Sequence, residues 1–447
     1  MKIRRLKIDS YRHLENLEFD FTYQSGDKKG QPLNKICLIG QSAVGKTSIL
    51  EFIKESITTF TIWQKVVLVA PPKQQSKPIV KQSNANVQQS RMVKIAAMKL
   101  AGEIDFLINN LLITYSKKTL QLKQNVVDAF PSKILIYFSS ELLSPANNML
   151  FTNNFENIST MSSLLAKLTN ANQIDISNYD NVVDKIENKK IIVFGGNNEI
   201  AWQSLLNEII EYRLKLTQKG SDLINKGLHA DFRRMASEME LWRKRNPNPA
   251  ELLAEKCLNP ILKRLNLEVD LVDTTALIVL KPINDDVAIP SNALSTGTKQ
   301  LLLNLLPLYK LDTNGSIILI DEPERSLYPD IQIELMDHYQ RLAPEAQFIV
   351  ATHSPFIAAA FEPDERFILY FDDEGKVAVR KGSSPIGDDP NDILKSDFGL
   401  THLMNEKGIN AYRQYLRLKE EMASEKDATK KKELMLEAVA LGDKYKF

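Results

Sequence analysis

The first sixty residues alternate between apolar and polar positions in ways that predict regular structure. The stretches KIRRLKID, LENLEFDF and KICLIG have the alternation or the short apolar run of β-strands, and polar residues separate them. The next stretch, VGKTSILEFIKESI, places Ile49, Phe52, Ile53 and Ile57 on one side of a helical repeat. The chain is therefore predicted to begin with three strands followed by a helix.

The remaining chain divides into segments of different character. Residues 155–265 have helical patterns, strand patterns lie on both sides of them, and the tail is helical and charged. Residues 71–90 are rich in Pro, Gln and Ser and predict a mobile loop. The further predicted strands are RMVKIAAMKL, EIDFLINNLLITY, KILIYF, LEVDLVD, ALIVLK, SIILID, QFIVATH and the pair in RFILYFDDEGKVAVRK. Strands and helices that alternate around a helical middle predict an α/β sheet with an insertion. The predicted parts are an N-terminal lobe (1–150), a helical insertion (151–265), a C-terminal lobe (266–390) and a helical tail (391–447).

Composition narrows the class of protein but does not identify it. The 447 residues allow two or three subdomains, and the net charge of +1 gives no global signal for nucleic acid or membrane. Cys37 and Cys257 stand alone in apolar surroundings, which is typical of buried thiols in a reducing compartment. The charged N-terminus is not followed by an apolar segment, and no run of 18 apolar residues occurs. We therefore expect a cytoplasmic protein without a membrane partner.

The strongest chemical signal lies between the third strand and the first helix. The sequence GQSAVGKTS has a Gly, four residues and then Gly-Lys-Thr, and it comprises Gly40, Gln41, Ser42, Ala43, Val44, Gly45, Lys46, Thr47 and Ser48. Glycines allow successive N–H groups to point inward as an anion nest, and the following helix adds its positive end. In such a phosphate loop Lys46 bridges the β- and γ-phosphates, and the Thr47 hydroxyl ligates Mg²⁺. ATP and Mg²⁺ are therefore the predicted cofactors.

Two further apolar strands end in polar side chains. SIILIDEP presents Asp321 and Glu322 where parallel sheets bind ligands, so Asp321 is predicted to hold Mg²⁺ and Glu322 to take a proton from attacking water. QFIVATHSP ends in His353, which at such an edge can hydrogen-bond a γ-phosphate. Each pattern also occurs without function, as an acidic turn or a structural histidine. The phosphate loop upstream favours the functional interpretation of both.

A fourth stretch, NALSTGTKQLLL, combines a small polar turn with the start of an apolar helix. Ser295 is an ordinary helix cap on one interpretation and part of an anion site on the other. The stretches GQSAVGKTS, LSTGTKQ, ILIDEPERSLYPD and FIVATHSP together resemble the ABC-type ATPase heads of the SMC, RecF and OLD group. The resemblance covers roughly residues 1–60 and 265–370. It implies that Ser295 and Gly297 cap the γ-phosphate bound by a second subunit.

The same resemblance implies a fold, an activity and further site residues. The fold is an α/β P-loop ABC-type ATPase head with a helical insertion and a charged helical C-terminal tail. The activity is Mg²⁺-dependent binding and slow hydrolysis of ATP by a head-to-head dimer of this chain. Arg12 matches an arginine that approaches the nucleotide phosphates, although a solvated turn arginine fits equally well. Ser326 and Asp330 match the D-loop at the dimer seam, and Glu141 is the candidate for the glutamine-loop residue.

The effector is expected on a different chain. The helical insertion is too short for a long coiled coil, and Asp372, Asp373 and Glu374 in FDDEGK are typical of a hairpin turn rather than a metal site. The chain looks most like the ATPase subunits of phage-defence systems such as Septu and PARIS, which work with a separately encoded nuclease. The alternatives are a RecF-like DNA repair ATPase and a non-hydrolysing nucleotide-dependent scaffold.

Basic residues in the predicted insertion are consistent with DNA or RNA as a further partner. They gather near Trp242, although the acidic residues mixed among them also fit a solvated helix face. These basic residues are Arg233, Arg234, Arg243, Lys244 and Arg245.

Overall fold

A computed structural model describes most of the chain. The described residues are 1–69, 102–108, 111–116, 131–140, 189–195, 199–227, 231–273, 278–290 and 293–447. The loop predicted at 71–90, the strand predicted in RMVKIAAMKL and Glu141 lie outside them, so these predictions stay open.

Strands and helices alternate over the described residues. The strands are β1 (Lys2–Tyr11), β2 (Leu14–Asp20), β3 (Lys35–Gly40), β4 (Gly102–Ile108), β5 (Leu111–Ser116), β6 (Leu135–Phe138), β7 (Ile191–Phe194), β8 (Leu267–Asp270), β9 (Val279–Pro282), β10 (Ile317–Asp321), β11 (Gln347–Thr352), β12 (Arg366–Phe371) and β13 (Val377–Lys381). The helices are α1 (Lys46–Val69), α2 (Glu199–Asn225), α3 (Phe232–Arg245), α4 (Pro249–Leu253), α5 (Asn259–Leu262), α6 (Thr296–Lys310), α7 (Pro329–Leu342), α8 (Pro355–Ala358), α9 (Pro390–Ser396), α10 (Glu406–Ser424) and α11 (Ala428–Tyr445). The α/β prediction is confirmed.

Over the described residues, the central element is a sheet of seven strands in the order β13-β12-β3-β11-β10-β6-β7. All of its pairs are parallel except β12 with β13. The register places Thr352 beside Ile39 and Ala351 beside Asp321. Strands β3, β11 and β10 therefore end at one edge, and the residues that follow them meet there.

The two faces of this sheet are buried against different layers. Cys37 and Ile39 of β3 belong to one core, which also contains Leu302 of α6 and Leu335 of α7. Their neighbour Leu38 belongs to the other core, together with Phe52 of α1 and residues of the antiparallel sheet β2-β1-β4-β5. Side chains alternate across a strand, so an unbroken apolar run supplies both cores at once. Each fully buried aliphatic side chain contributes roughly 1.5–3 kcal/mol to this packing.

The segment predicted as a helical insertion is only partly helical. β7, which lies within 151–265, pairs in parallel with β6 as an edge strand of the central sheet. The helical prediction is wrong for these four residues, because an apolar run this short carries no usable period. Helices α2 and α3 follow the prediction and pack through Tyr212 and Trp242, whose ring centroids are 5.6 Å apart.

The tail joins the C-terminal lobe through a buried ion pair. Arg366 in β12 and Asp397 after α9 have fully buried side chains, and Arg366 Nε lies 3.0 Å from Asp397 Oδ2. Beyond this anchor α10 and α11 pack on each other as a helical hairpin, and most of their side chains are exposed. None of the helices in the described residues combines the length and the apolar character that a membrane span needs.

Candidate functional site

The predicted phosphate loop, residues 40–48, contains three positions with positive φ. Gly40, Ala43 and Gly45 all have positive φ, at 153°, 69° and 93°. A Cβ on Gly40 would collide with the carbonyl oxygen of Leu369, and one on Gly45 would lie 2.8 Å from the ring Nε2 of His13. Gly40 therefore requires glycine for space as well as for conformation, because the obstacle is backbone, whereas Gly45 meets side-chain ends and requires glycine for conformation.

Lys46 begins α1 and places its ammonium group over the loop. Its Nζ donates hydrogen bonds to the carbonyl oxygens of Gly40 at 2.8 Å and Gln41 at 3.0 Å. Burial is the main cause that lowers the Lys46 pKa, to about 8, while Asp321 and Glu322 nearby oppose this shift. The loop thus holds a partly desolvated positive charge, which suits a polyphosphate ligand.

Thr47 and Asp321 bring the two halves of the site together. The Thr47 hydroxyl lies 3.1 Å and 3.0 Å from the two carboxylate oxygens of Asp321, although 274 positions separate the residues. A hydroxyl and a carboxylate at this distance are the oxygen ligands that Mg²⁺ takes beside nucleotide phosphates. Burial raises the Asp321 pKa to about 6, so the carboxyl gains from a nearby cation. The donor set fits Mg²⁺.

Glu322 and His353 face each other beside this pair. The N–H of Glu322 donates to the carbonyl oxygen of Ala351 at 2.9 Å and so continues the pairing of β10 with β11. The strand ends at Asp321, and the next residue, Glu322, has a φ of +51°. Glu322 Oε1 lies 4.0 Å from His353 Nε2. Burial, followed by the charge of Lys46, lowers the His353 pKa, so the imidazole is neutral at pH 7 and can donate one hydrogen bond.

Glu324 is a site residue that sequence reasoning missed. Its Oε1 accepts a hydrogen bond from the backbone N–H of His353 at 2.7 Å, and burial raises its pKa. The Glu324 carboxylate, three residues after Asp321, therefore holds the backbone of His353 in place. The only sequence signal is the second glutamate in DEPE, which resembles an ordinary acidic turn.

Arg12 lies next to the phosphate loop at the tip of the β1–β2 hairpin. It has a φ of +57°, its Nη1 lies 3.3 Å from the Ser48 hydroxyl, and its Nη2 forms an ion pair with Glu51. The neighbouring His13 packs on Gly45. The structure therefore places Arg12 beside the start of α1, held by a carboxylate of the same helix.

Ser295 and Gly297 occupy the start of α6, but their surroundings differ. Ser295 is exposed and caps the helix, accepting a hydrogen bond from Thr298 N at 3.0 Å. Gly297 is buried, and a Cβ there would collide with the carbonyl oxygen of Ser326. Gly297 is thus required within its own chain. Ser326 and Asp330 are both exposed.

The predicted hairpin turn at FDDEGK is present. Asp372 Oδ1 accepts from the N–H groups of Glu374 at 3.0 Å and Lys376 at 2.8 Å, between β12 and β13. In the part of the chain that the structure describes, no group of three or more His, Cys, Asp or Glu side chains is arranged to hold a metal ion.

The chain matches one protein family and is similar to several solved structures. Residues 1–358 match the AAA_15 family, which is described as an AAA ATPase domain. Among solved structures, the chain is similar to the SMC head domain of Thermotoga maritima, at 13% identity and a TM-score of 0.36, over 86% of this chain and 100% of that one. It is also similar to an SMC head domain of Pyrococcus furiosus bound to the C-terminal domain of ScpA, at 13% identity and a TM-score of 0.33, over 86% and 96%.

Proposed function

The chain belongs to the AAA_15 family of AAA ATPase domains, and from this premise we propose that it binds and slowly hydrolyses ATP with Mg²⁺ as a head-to-head dimer. The observation that carries the proposal is the contact between the Thr47 hydroxyl and the Asp321 carboxylate. It joins a phosphate loop to an acidic strand end, with Glu322 and His353 beside it.

Each side chain has a distinct part in this reaction. Lys46 neutralises phosphate charge from its position over the loop, and Thr47 and Asp321 would hold Mg²⁺, which offsets charge on the phosphates. Glu322 would accept the proton of the attacking water, because its carboxylate is half-exposed and follows Asp321 directly at the end of β10. His353 donates a hydrogen bond to the γ-phosphate from its neutral imidazole.

The start of α6 supports the proposed dimer. A helix N-terminus carries free N–H groups and a partial positive charge, and the exposed Ser295 leaves it open to an anion on another molecule. The γ-phosphate held by a second copy is that anion in our proposal. Ser326 and Asp330, which are also exposed, would lie at the same seam.

The experiment that tests catalysis compares Glu322→Gln with Glu374→Gln, an exposed carboxylate in the β12–β13 turn. Loss of a general base typically slows turnover about 10²- to 10⁴-fold. We expect that loss in Glu322→Gln only, together with an ATP-dependent dimer visible by light scattering. Equal turnover in the two variants would assign the base to another residue. Undetectable turnover in the unmutated protein would favour the non-hydrolysing scaffold.

We further propose that the ATPase controls a separately encoded effector, a nuclease in an anti-phage defence system. The exposed apolar side chains of α10 and α11 support a partner at the tail, among them Leu416, Leu436 and Val439. Co-purification with the products of neighbouring genes, with and without residues 405–447, tests this. The cut must spare Asp397, because its removal would leave Arg366 buried without its counter-ion. Metal-dependent DNA cleavage by the pure chain would refute an effector in trans, and preferential binding of DNA junctions would favour a RecF-like role.

A further inference from the structure

The turn after the acidic strand lies between the start of α6 and the segment that carries His353. We call residues 326–328 the seam turn. On one side the carbonyl oxygen of Ser326 touches Gly297, where a Cβ would collide with it. Ser326 itself has a φ of +61°, a conformation that a serine keeps only when its surroundings hold it. A displacement of the start of α6 toward the seam turn therefore meets the Ser326 carbonyl group.

On the other side Gln332 ties the seam turn to the histidine segment. Its Nε2 donates to the carbonyl oxygen of Leu327 at 2.8 Å, and its Oε1 accepts from the Ser354 hydroxyl at 2.5 Å. Gln332 is 8% exposed and Ser354 6%, so water has little access to these bonds. The side-chain nitrogen of Gln332 thus binds the seam turn, and its side-chain oxygen binds the histidine segment.

Ser354, which follows His353 directly, is itself held by several hydrogen bonds. The Ser354 hydroxyl also accepts from the N–H groups of Phe356 and Ile357, and the Ser354 N–H donates to the Thr352 hydroxyl at 2.9 Å. Gln332 thus holds the residue that follows His353, while Glu324 holds the His353 N–H itself. A buried hydrogen bond contributes about 1 kcal/mol net, but leaving either partner unpaired costs more, so the two segments move together.

We infer that Gln332 is a positioning residue that couples the seam turn to His353. Docking of a second head at the exposed Ser295 would then set His353 for the γ-phosphate bound in the same head as His353. This inference rests on the proposed ATP-driven dimer. In that dimer Gln332 does not contact the nucleotide. Gln332 affects the placement of His353, which does contact the nucleotide, and this effect appears only when two heads dimerise.

The test uses a spectroscopic signal of His353 that does not require hydrolysis. In the Glu322→Gln background, the ¹³C-labelled imidazole signal of His353, assigned by its loss in His353→Gln, is recorded with ATP and Mg²⁺. The same signal in Ser295→Arg protein, which we expect to bind ATP as a monomer, gives the effect of ATP alone. The difference between the two is the effect of the second head.

The decisive variant is Gln332→Leu, and its matched control is Gln347→Leu. Gln347 also has a buried side-chain amide, which forms hydrogen bonds with the backbone of Ile3 and Leu33. It lies at the start of β11, whereas His353 follows the end of that strand. We expect both variants to melt at a lower temperature and both to dimerise with ATP. Only Gln332→Leu loses more than half of the second-head effect on His353. In the Glu322 protein, the same substitution lowers kcat about tenfold or more and leaves KM within about twofold.

The outcomes separate the two proposals. A dimer of Gln332→Leu with the full His353 effect overturns the coupling, and so does an equal loss in Gln347→Leu, which would assign the effect to general loosening. If the Glu322→Gln protein alone forms no dimer with ATP, the proposed function fails, and the coupling fails with it.

Discussion

The buried charge of Lys46 makes a testable link between pH and ATP affinity. Its pKa is about 8 in the free protein, because burial removes water from the ammonium group. Nucleotide phosphates favour the charged form, so bound ATP raises this pKa and binding takes up a proton at alkaline pH. At pH 7 nearly all of the free protein carries the charge, whereas at pH 9 only about one-tenth does, by the ordinary titration of a group with this pKa. ATP affinity should therefore fall about tenfold between these values.

Lys46→Ala provides the magnitude of the interaction itself. Charge-assisted hydrogen bonds contribute roughly 1.5–3 kcal/mol each, so losing contacts to two phosphates weakens binding by roughly a hundredfold or more at pH 7. The remaining affinity should not change between pH 7 and pH 9. Lowering the pKa from 10.5 to about 8 means that burying the charge costs about 3 kcal/mol. The variant should therefore unfold at no lower temperature than the unmutated protein.

Equilibrium titration with a fluorescent ATP analogue at several pH values measures both effects. Lys54→Ala, on the same helix with its ammonium group 5.3 Å from the Tyr137 ring, is the control and should keep the pH dependence. A constant affinity of the unmutated protein from pH 7 to pH 9 would refute the reasoning about the buried charge. Unchanged affinity in Lys46→Ala would refute the phosphate loop as the ATP site.

Three further outcomes follow from the same geometry. Because the Asp321 pKa is raised to about 6, the Mg²⁺-dependent part of ATP binding should increase as the pH rises through 6, and Asp321→Asn should abolish that increase in a Mg²⁺ titration. Ser295→Arg should leave ATP binding near normal but abolish dimerisation and turnover, as measured by sedimentation and phosphate release; failed ATP binding would mean that this segment acts within its own head. Asp397→Asn should lower the free energy of unfolding by roughly 3–5 kcal/mol, because it leaves Arg366 buried without its counter-ion. A loss below about 1 kcal/mol in denaturant unfolding would contradict that account.

The surroundings of Gly297 change which substitution tests the proposed dimer. From the motif alone, Gly297→Asp is a substitution that repels a partner's phosphate. In the structure any side chain at Gly297 collides with the Ser326 carbonyl, so the variant would disturb its own head first. Ser295 is exposed and its loss as a helix cap costs about 1 kcal/mol, so it reports on the seam more cleanly.

The sequence by itself determined the elements and the chemistry at their ends. Apolar runs predicted β3, β10 and β11, and the polar residues at or after their ends include the candidates Lys46, Asp321 and His353. These are local properties, because the period of a strand and the residue types of a phosphate loop are complete within about ten neighbouring positions. The edge strand β7 was missed because its apolar run spans only four residues.

Only the tertiary structure decided which of these residues meet. The register of β3, β11 and β10 brings Thr47 to Asp321, and nothing in either stretch encodes the other. The same holds for Gln332. No sequence pattern distinguishes it from other polar helix residues, but in the fold its side-chain amide bonds to both Leu327 and Ser354. Contacts between distant positions depend on strand order and on the packing of whole layers, and a local pattern carries no record of either.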